Sequence, residues 1–209
     1  MPSFGFRIPT TTLRRMWTML AYTQGTMSNY SKLAQGLEIS SVSVHRYIDL
    51  LCDLLLVRKI QPYLNNGRKR LVKVPKVYIR DSGLVHQLLN LNSIEGVLSN
   101  PVVGNSWEGF VIENILGTLP NYVKYSYYRT GAGAEIDLVL EVGNAEIWAI
   151  EIKQSSNPRV TKGFHSACED LAPTRKYVIY NGTETYPLPE HVMAIGLKSM
   201  LQLLSEFFI

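Results

Sequence analysis

Three of the charged side chains in the strongly apolar stretch at residues 133–155 could do chemistry: Asp137, Glu151 and Lys153. The stretch predicts a β-hairpin, because two runs of apolar residues flank a break at Gly143. Side chains alternate between the two faces of a strand, so Glu151 and Lys153 point the same way. A charge on a central strand is costly unless it is paired or bound to a metal. We therefore expect a metal-dependent active site here.

The chemistry that these residue types support is metal-assisted attack on a phosphate. Asp137 lies on one strand, Glu151 and Lys153 lie on the next, and a predicted helix carries Glu108. Two or three carboxylates suit Mg²⁺, which prefers hard oxygen ligands and keeps several waters. The metal would lower the pKa of a bound water and neutralise charge on the phosphate. Lys153 would stabilise the transition state or orient the water.

Two alternatives remain open for this cluster. Glu135 competes with Asp137, because residues two apart on a strand share a face. We favour Asp137, since the apolar neighbours Ile136 and Leu138 place it deeper in the sheet. In the second alternative, Glu151 and Lys153 simply pair with each other at a sheet edge and carry no chemistry.

The composition bounds what the chain can be. Its 209 residues hold one mid-sized domain or two small ones, and 46% of them are hydrophobic, which is typical of a globular protein. The net charge of +4 favours an anionic partner. Cys52 and Cys168 form no CxxC pair, which suits a reducing compartment and predicts no zinc site.

Several classes of protein are excluded by missing patterns. The N-terminus shows no signal pattern and no apolar run is long enough for a transmembrane helix, so we expect a cytoplasmic protein with no membrane partner. A phosphate-binding G-x-x-x-x-G-K-[ST] loop is also missing, so the chain is not itself a P-loop ATPase.

The first part of the chain predicts three helices followed by a basic hairpin. Caps at Thr10–Thr12, at Asn29 or Ser31, and at Ser40 begin the helices. Val57–Ile60 and Leu71–Val74 predict two strands, and the Asn-Gly step between them favours a turn. This order is typical of a winged helix-turn-helix, which we place at residues 1–92.

In such a domain the third helix enters the major groove of DNA, and the wing contacts phosphates. The candidate DNA-binding residues are Ser41, Ser43, Arg46, Arg68, Lys69 and Arg70. Winged helices also serve as linkers or protein-docking modules, and a charged loop is often only solvated. Both interpretations stay open. Asp81 follows a short apolar strand, and we expect it to cap the next helix rather than to act in catalysis.

Residues 93–209 predict the element order α-β-β-β-α-β with a β-α tail. The pattern indicates a mixed sheet flanked by helices, in the α/β (α+β) class. The strand at Tyr177–Tyr180 follows a predicted crossover helix at Pro158–Asp170, so we expect it to lie parallel to its partner.

Four segments resemble a known family. They are R-K-R-L-V-K-V-P-K-V-Y-I-R-D-S-G-L, N-S-W-E-G-F-V-I-E-N-I-L, Y-Y-R-T-G-A-G-A-E-I-D-L-V-L-E and I-E-I-K-Q-S. Together with the spacing from Asp137 to the Glu151-x-Lys153 motif, they are similar to the PD-(D/E)XK nuclease superfamily. The resemblance is stronger to the C-terminal region of bacterial and archaeal AAA ATPases, which joins a winged helix to such a domain. Ile136 stands where the motif has its proline.

The resemblance implies a restriction-endonuclease-like domain with Asp137, Glu151 and Lys153 as catalytic residues. It implies Glu108, Asp137 and Glu151 as ligands of Mg²⁺ or Mn²⁺, and DNA and an AAA ATPase domain or subunit as partners. Because the ATPase itself is missing, we interpret the chain as a fragment, a split gene product or a trimmed C-terminal part. The alternative function is a non-catalytic docking module that regulates an ATPase, and a simple repressor ranks last because it leaves the polar cluster without a purpose.

Overall fold

The computed structural model describes residues 9–27, 29–64, 71–143 and 146–208. Within these residues the strands form two sheets, a small antiparallel sheet of three strands and a mixed sheet of six. Helices pack against both sheets, so the predicted mixed α/β class is confirmed. In the same residues, no helix is long and apolar enough to cross a bilayer.

The N-terminal part contains four helices and the small sheet. Its elements are α1 (Thr10–Tyr22), β1 (Thr26–Met27), α2 (Tyr30–Leu37), α3 (Ser41–Asp53), β2 (Val57–Ile60), β3 (Lys76–Ile79) and α4 (Ser82–Leu88). Three of the expected caps are present, because the side chains of Asn29, Ser40 and Asp81 accept backbone N–H groups. The capping role predicted for Asp81 is therefore confirmed.

The predicted strand at Leu71–Val74 is wrong. β2 pairs instead with β3, from Val57 opposite Ile79 to Ile60 opposite Lys76. All four β3 residues are buried, and such a strand needs partners on both sides, which β1 and β2 provide. Leu71 forms only an isolated bridge to Thr130. The wing residues Arg68, Lys69 and Arg70 lie outside the described residues.

The C-terminal part is built around the six-stranded sheet. Its elements are α5 (Ile94–Leu98), α6 (Val103–Thr118), β4 (Lys124–Arg129), β5 (Glu135–Val142), β6 (Glu146–Lys153), α7 (Lys162–Leu171), β7 (Arg175–Tyr180), β8 (Tyr186–Leu188), a 3₁₀ turn (Pro189–His191), β9 (Val192–Gly196) and α8 (Leu197–Phe207). The strand order is β4-β5-β6-β7-β9-β8. β6 and β7 are parallel, which confirms the expected crossover.

Helices cover both faces of this sheet. α6 and α8 pack on one face through residues such as Ile112 and Leu204. α7 packs on the other face, where Phe164 lies against Ile136 and Ala149. α7 begins four residues later than predicted, because the side chain of Thr161 rather than the Ser155–Pro158 segment caps it.

The two parts of the chain share a core. Ile60 and Tyr78 from the small sheet are fully buried among the residues of α6 and the large sheet. A backbone bridge also joins Pro62 to Tyr127 of β4. β3 therefore lies where both parts meet, although the predicted boundary at residue 92 stays a prediction.

Candidate functional site

A cleft of about 600 Å³ opens where β3, α6, β5 and β6 come together. Seven charged side chains line it: Lys76, Glu108, Arg129, Glu135, Asp137, Glu151 and Lys153. All four residues predicted for catalysis or metal binding are among them. The cleft also contains a buried lysine, Lys76, that the sequence did not indicate.

Asp137 lies at the end of the ladder between β5 and β6. The last pair there joins Leu138 to Ile150, which brings Asp137 beside Glu151. Beyond this pair, Asp137 Oδ2 accepts the backbone N–H of Ile152 at 2.9 Å. The carboxylate takes the place of a backbone acceptor, and this contact fixes its other oxygen toward the cleft. Asp137 is only 8% exposed.

Glu151 and Lys153 form an ion pair on the cleft side of β6, with 2.6 Å between Glu151 Oε1 and Lys153 Nζ. The pairing considered in the sequence alternative is thus present. It lies on a central strand rather than at an edge, because β5 and β7 flank β6. Thr161 Oγ1 donates a further hydrogen bond of 3.2 Å to the same oxygen. The cap of α7 is therefore attached to the carboxylate cluster.

Glu108 reaches the cleft from α6. Its Oε1 atom accepts hydrogen bonds from the hydroxyl of Tyr78 and from Lys76 Nζ, the latter at 3.1 Å. Tyr78 and Lys76 are two residues apart on β3 and so share a face of that strand. Glu113, five residues further along α6, pairs instead with Arg58 and Arg80.

Lys76 lies among three of the carboxylates. Its Nζ atom is 3.1 Å from Glu108 Oε1, 3.2 Å from Glu135 Oε1 and 3.6 Å from Asp137 Oδ1. It is only 4% exposed and also lies 5.5 Å from the ring centroid of Tyr127. Burial alone would lower its pKa, but the three carboxylates outweigh burial and raise it. The ammonium group is firmly charged.

Two of the buried carboxyl groups in the cleft have raised pKa values. Burial raises the pKa of Glu108 to about 7, and the neighbouring charge of Asp137 adds to this, against the opposing effects of Lys76 and Tyr78. Burial and Asp137 likewise raise the pKa of Glu151 to about 7, despite Lys153 and Thr161. Both carboxyl groups therefore bind a proton more tightly than they would in water, chiefly because they are buried.

The donor atoms suit a hard divalent cation. Carboxylate oxygens are the ligands that Mg²⁺ prefers, and the cleft contains four carboxylate side chains. In the arrangement adopted by the described residues, however, no three His, Cys, Asp or Glu side chains are placed to hold one ion together. The ammonium group of Lys76 lies between Glu108 and Asp137 instead.

The predicted DNA-binding residues of α3 do not line this cleft. Ser43 Oγ is 2.9 Å from Ser40 Oγ, so its hydroxyl takes part in the helix cap. Ser41 is partly exposed and Arg46 is exposed near the start of the same helix. DNA contact through them stays a prediction.

Comparisons with known proteins find matches to two families without a stated function, one in each part of the chain. Residues 103–200 match a domain of unknown function, DUF4143, and residues 1–95 match another, DUF8612. Uncharacterized proteins of Mycobacterium tuberculosis and Mycobacterium bovis are each 39% identical over 197 residues, which is 94% of this chain. The chain spans 44% of the length of these curated relatives. No solved structure matches it.

Proposed function

We propose that the cleft is the site of Mg²⁺- or Mn²⁺-dependent hydrolysis of DNA phosphodiester bonds, in a domain of the PD-(D/E)XK type. One observation carries the proposal. Asp137 and Glu151 lie side by side on adjacent strands, Lys153 lies next to Glu151, and Glu108 faces them from α6. Buried carboxylates beside a lysine in a cleft are a known arrangement for metal-assisted chemistry on phosphates.

Each residue of the cleft would have a separate role, set by its position. Asp137 and Glu151 would hold the metal ion, and Glu108 would complete the ligand set from the helix. A bound Mg²⁺ supplies Lewis-acid polarisation of the phosphate and a water of lowered pKa. Lys153 is the most exposed of these groups, with 31% of its side chain accessible, so it is the one placed to contact a phosphate oxygen. Its charge would stabilise the negative charge that develops during hydrolysis.

The N-terminal part would supply DNA binding. Three helices followed by the β2–β3 pair are compatible with a winged helix-turn-helix, in which α3 presents Ser41, Ser43 and Arg46 to the major groove. Arg68, Lys69 and Arg70, which follow β2 in the sequence, would add phosphate contacts. The net charge of +4 supports an anionic partner.

An AAA ATPase domain or subunit is the second proposed partner. The chain matches less than half the length of its curated relatives, so more than half of each relative lies outside the matched region. We propose that an AAA ATPase domain or subunit works together with this cleft, in the cytoplasm.

A non-catalytic docking module is the second candidate function. The position of Lys76 favours it, because an internal ammonium group already compensates part of the carboxylate charge. In that case the cluster would join the two parts of the chain, and the protein would tie an ATPase to DNA or to another protein without cleaving it.

Plasmid cleavage tests the proposal. Purified protein is incubated with supercoiled plasmid and with branched DNA in Mg²⁺, in Mn²⁺ and in EDTA. We expect metal-dependent nicking that falls by about 100-fold in each of two variants: Lys153→Ala loses the positive charge at the phosphate, and Asp137→Asn loses a charged ligand of the metal ion. Lys124→Ala is the matched control, since Lys124 is an exposed lysine on β4 outside the cleft. Full activity of Lys153→Ala would contradict the proposal.

A further inference from the structure

The inference concerns Lys76 and rests on the proposed metal dependence of the cleft. Lys76 begins β3, in the N-terminal part, yet its ammonium group contacts Glu108 of α6 and Glu135 of β5. These contacts are long-range in sequence, and they are formed by a side chain that is almost fully buried. A lysine is rarely buried to this degree unless its charge is fully paired.

The other two cations of the cleft pair with other carboxylates. Lys153 pairs with Glu151, and Arg129 Nη1 lies 2.9 Å from Glu135 Oε2. Among the described residues, Lys76 is consequently the cation that Glu108 and Asp137 share. These two carboxylates and Glu151 are the groups that the proposed metal ion would require.

An ammonium group and a divalent ion cannot share this position. Mg²⁺ needs its oxygen ligands at about 2.0–2.1 Å, closer than the 3.1–3.6 Å that separates Lys76 Nζ from Glu108 and Asp137. Drawing those oxygens onto a metal ion would place two cations next to each other in a partly desolvated cleft, where like charges repel strongly. The flexible four-carbon stem of lysine allows its head group to swing away.

We propose that Lys76 is a built-in counter-ion that occupies the cation position of the cleft, and that a metal ion binds only when Lys76 is displaced. Lys76 belongs to β3, which lies between β1 and β2, so the N-terminal part supplies the ammonium group that would have to move. The N-terminal part would thereby control whether the carboxylates of the C-terminal part accept a metal.

Metal titration of Lys76→Met tests the inference. Mn²⁺ is titrated into the wild type and the variant by calorimetry, and the melting temperature of each is measured with and without Mn²⁺. We expect the dissociation constant for Mn²⁺ to fall at least tenfold in Lys76→Met. We also expect the metal-free variant to melt at a lower temperature than the wild type, and Mn²⁺ to restore much of the loss, because the metal replaces the missing positive charge.

Arg58→Met is the matched control. Arg58 pairs with Glu113 of the same helix α6, outside the cleft. This control should lower the melting temperature as well, but leave the shift caused by Mn²⁺ at its wild-type value. If Lys76→Met does not fold, the double variant Lys76→Met/Glu135→Gln removes one charge of each sign and keeps the local balance, and the same tenfold tightening is expected from it.

The outcomes separate this inference from the proposed function. An unchanged or weaker affinity for Mn²⁺ in the Lys76 variants overturns the inference, and so does a failure of every variant to bind Mn²⁺. Plasmid cleavage by the wild type together with unchanged affinity would overturn the inference and leave the proposed function standing. Tighter Mn²⁺ binding without any cleavage would support the inference and contradict the proposed function.

Discussion

Two charged clusters join helix α6 to the small sheet. Cationic groups outnumber carboxylates in one of them, and carboxylates outnumber cationic groups in the other. At Glu113, one carboxylate accepts from two guanidinium groups, Arg58 and Arg80, with Arg80 Nε 2.8 Å from Glu113 Oε2. Five residues earlier on the same helix, Glu108 shares a single ammonium group with two other carboxylates. We refer to these as the Glu113 cluster and the Lys76 cluster.

The two clusters differ in whether their charges are fully paired, and this difference separates a purely structural contact from a candidate binding site. The Glu113 cluster satisfies its carboxylate with bidentate geometry, and Arg58 also donates a hydrogen bond of 2.9 Å to the hydroxyl oxygen of Tyr125. The Lys76 cluster leaves a surplus of carboxylates facing a cleft. An excess of carboxylates is not needed to hold α6 against the small sheet, because the Glu113 cluster makes such a contact with a single carboxylate. Under the proposed function, a cation bound in the cleft would neutralise this surplus.

The largest expected effect separates the two clusters by stability. Glu113→Gln should lower the free energy of unfolding by about 3 kcal/mol, because it leaves two partly buried guanidinium groups without their carboxylate. Glu108→Gln should change it by less than about 1 kcal/mol at pH 8, since the lost pairing with Lys76 is offset by the removal of a crowded charge. Urea unfolding of both variants measures the difference. Equal losses would show that the clusters have the same role.

The next effect is the pH dependence of the Lys76 cluster. A carboxyl whose pKa is about 7 in the folded protein binds protons more tightly there than in the unfolded chain. Its protonation therefore stabilises the fold below about pH 4.5, and this contribution is lost as the pH rises through 7. Between pH 5 and pH 8 the wild type should therefore lose about 2 kcal/mol of this stabilisation. The variant Glu151→Gln has no carboxyl group to titrate at this position, so its stability should rise by that amount relative to the wild type. Chemical unfolding at both pH values checks this.

Glu184→Gln provides the control for this pH experiment. Glu184 is exposed in the segment between β7 and β8 and lies outside both clusters. Its variant should follow the wild type at both pH values. If Glu151→Gln also followed the wild type, the crowding of carboxylates in the cleft would be refuted.

The smallest effect tests the connection between α7 and the Lys76 cluster. Thr161→Ala should cost about 1 kcal/mol, because it removes the cap of α7 and the hydrogen bond to Glu151. Thr161→Ser keeps the hydroxyl and should retain most of the stability. Thermal unfolding compares the two, and a serine variant as unstable as the alanine variant would contradict the role of the hydroxyl group.

The sequence predicted the parts of the site that depend on local pattern. Asp137, Glu151 and Lys153 were identifiable because a charge within an apolar strand needs a compensating partner. The parallel pairing of β6 with β7 followed from the intervening helix α7, although that helix begins later than predicted. These features depend on short-range chemistry and chain connectivity, both of which can be deduced from one sequence.

Features that depend on distant contacts could not be deduced. Lys76 precedes a short apolar run, where a lysine usually lies at the surface. Its burial results from α6 and β5, which lie 32 or more residues further along the chain. The strand expected at Leu71–Val74 has a suitable pattern, but β1 and β2 pair with β3 instead. β8 was missed because it has only three residues and contains Pro187.

The most direct test of the central claim is the location of a metal ion in crystals of the wild-type protein soaked in MnCl₂. Anomalous scattering from Mn²⁺ identifies the ion independently of any activity. The account predicts a peak in contact with carboxylate oxygens of Asp137 and Glu151, with the ammonium group of Lys76 moved away from Glu108. A cleft without an anomalous peak, in which Lys76 still contacts Glu108 at saturating Mn²⁺, would contradict it.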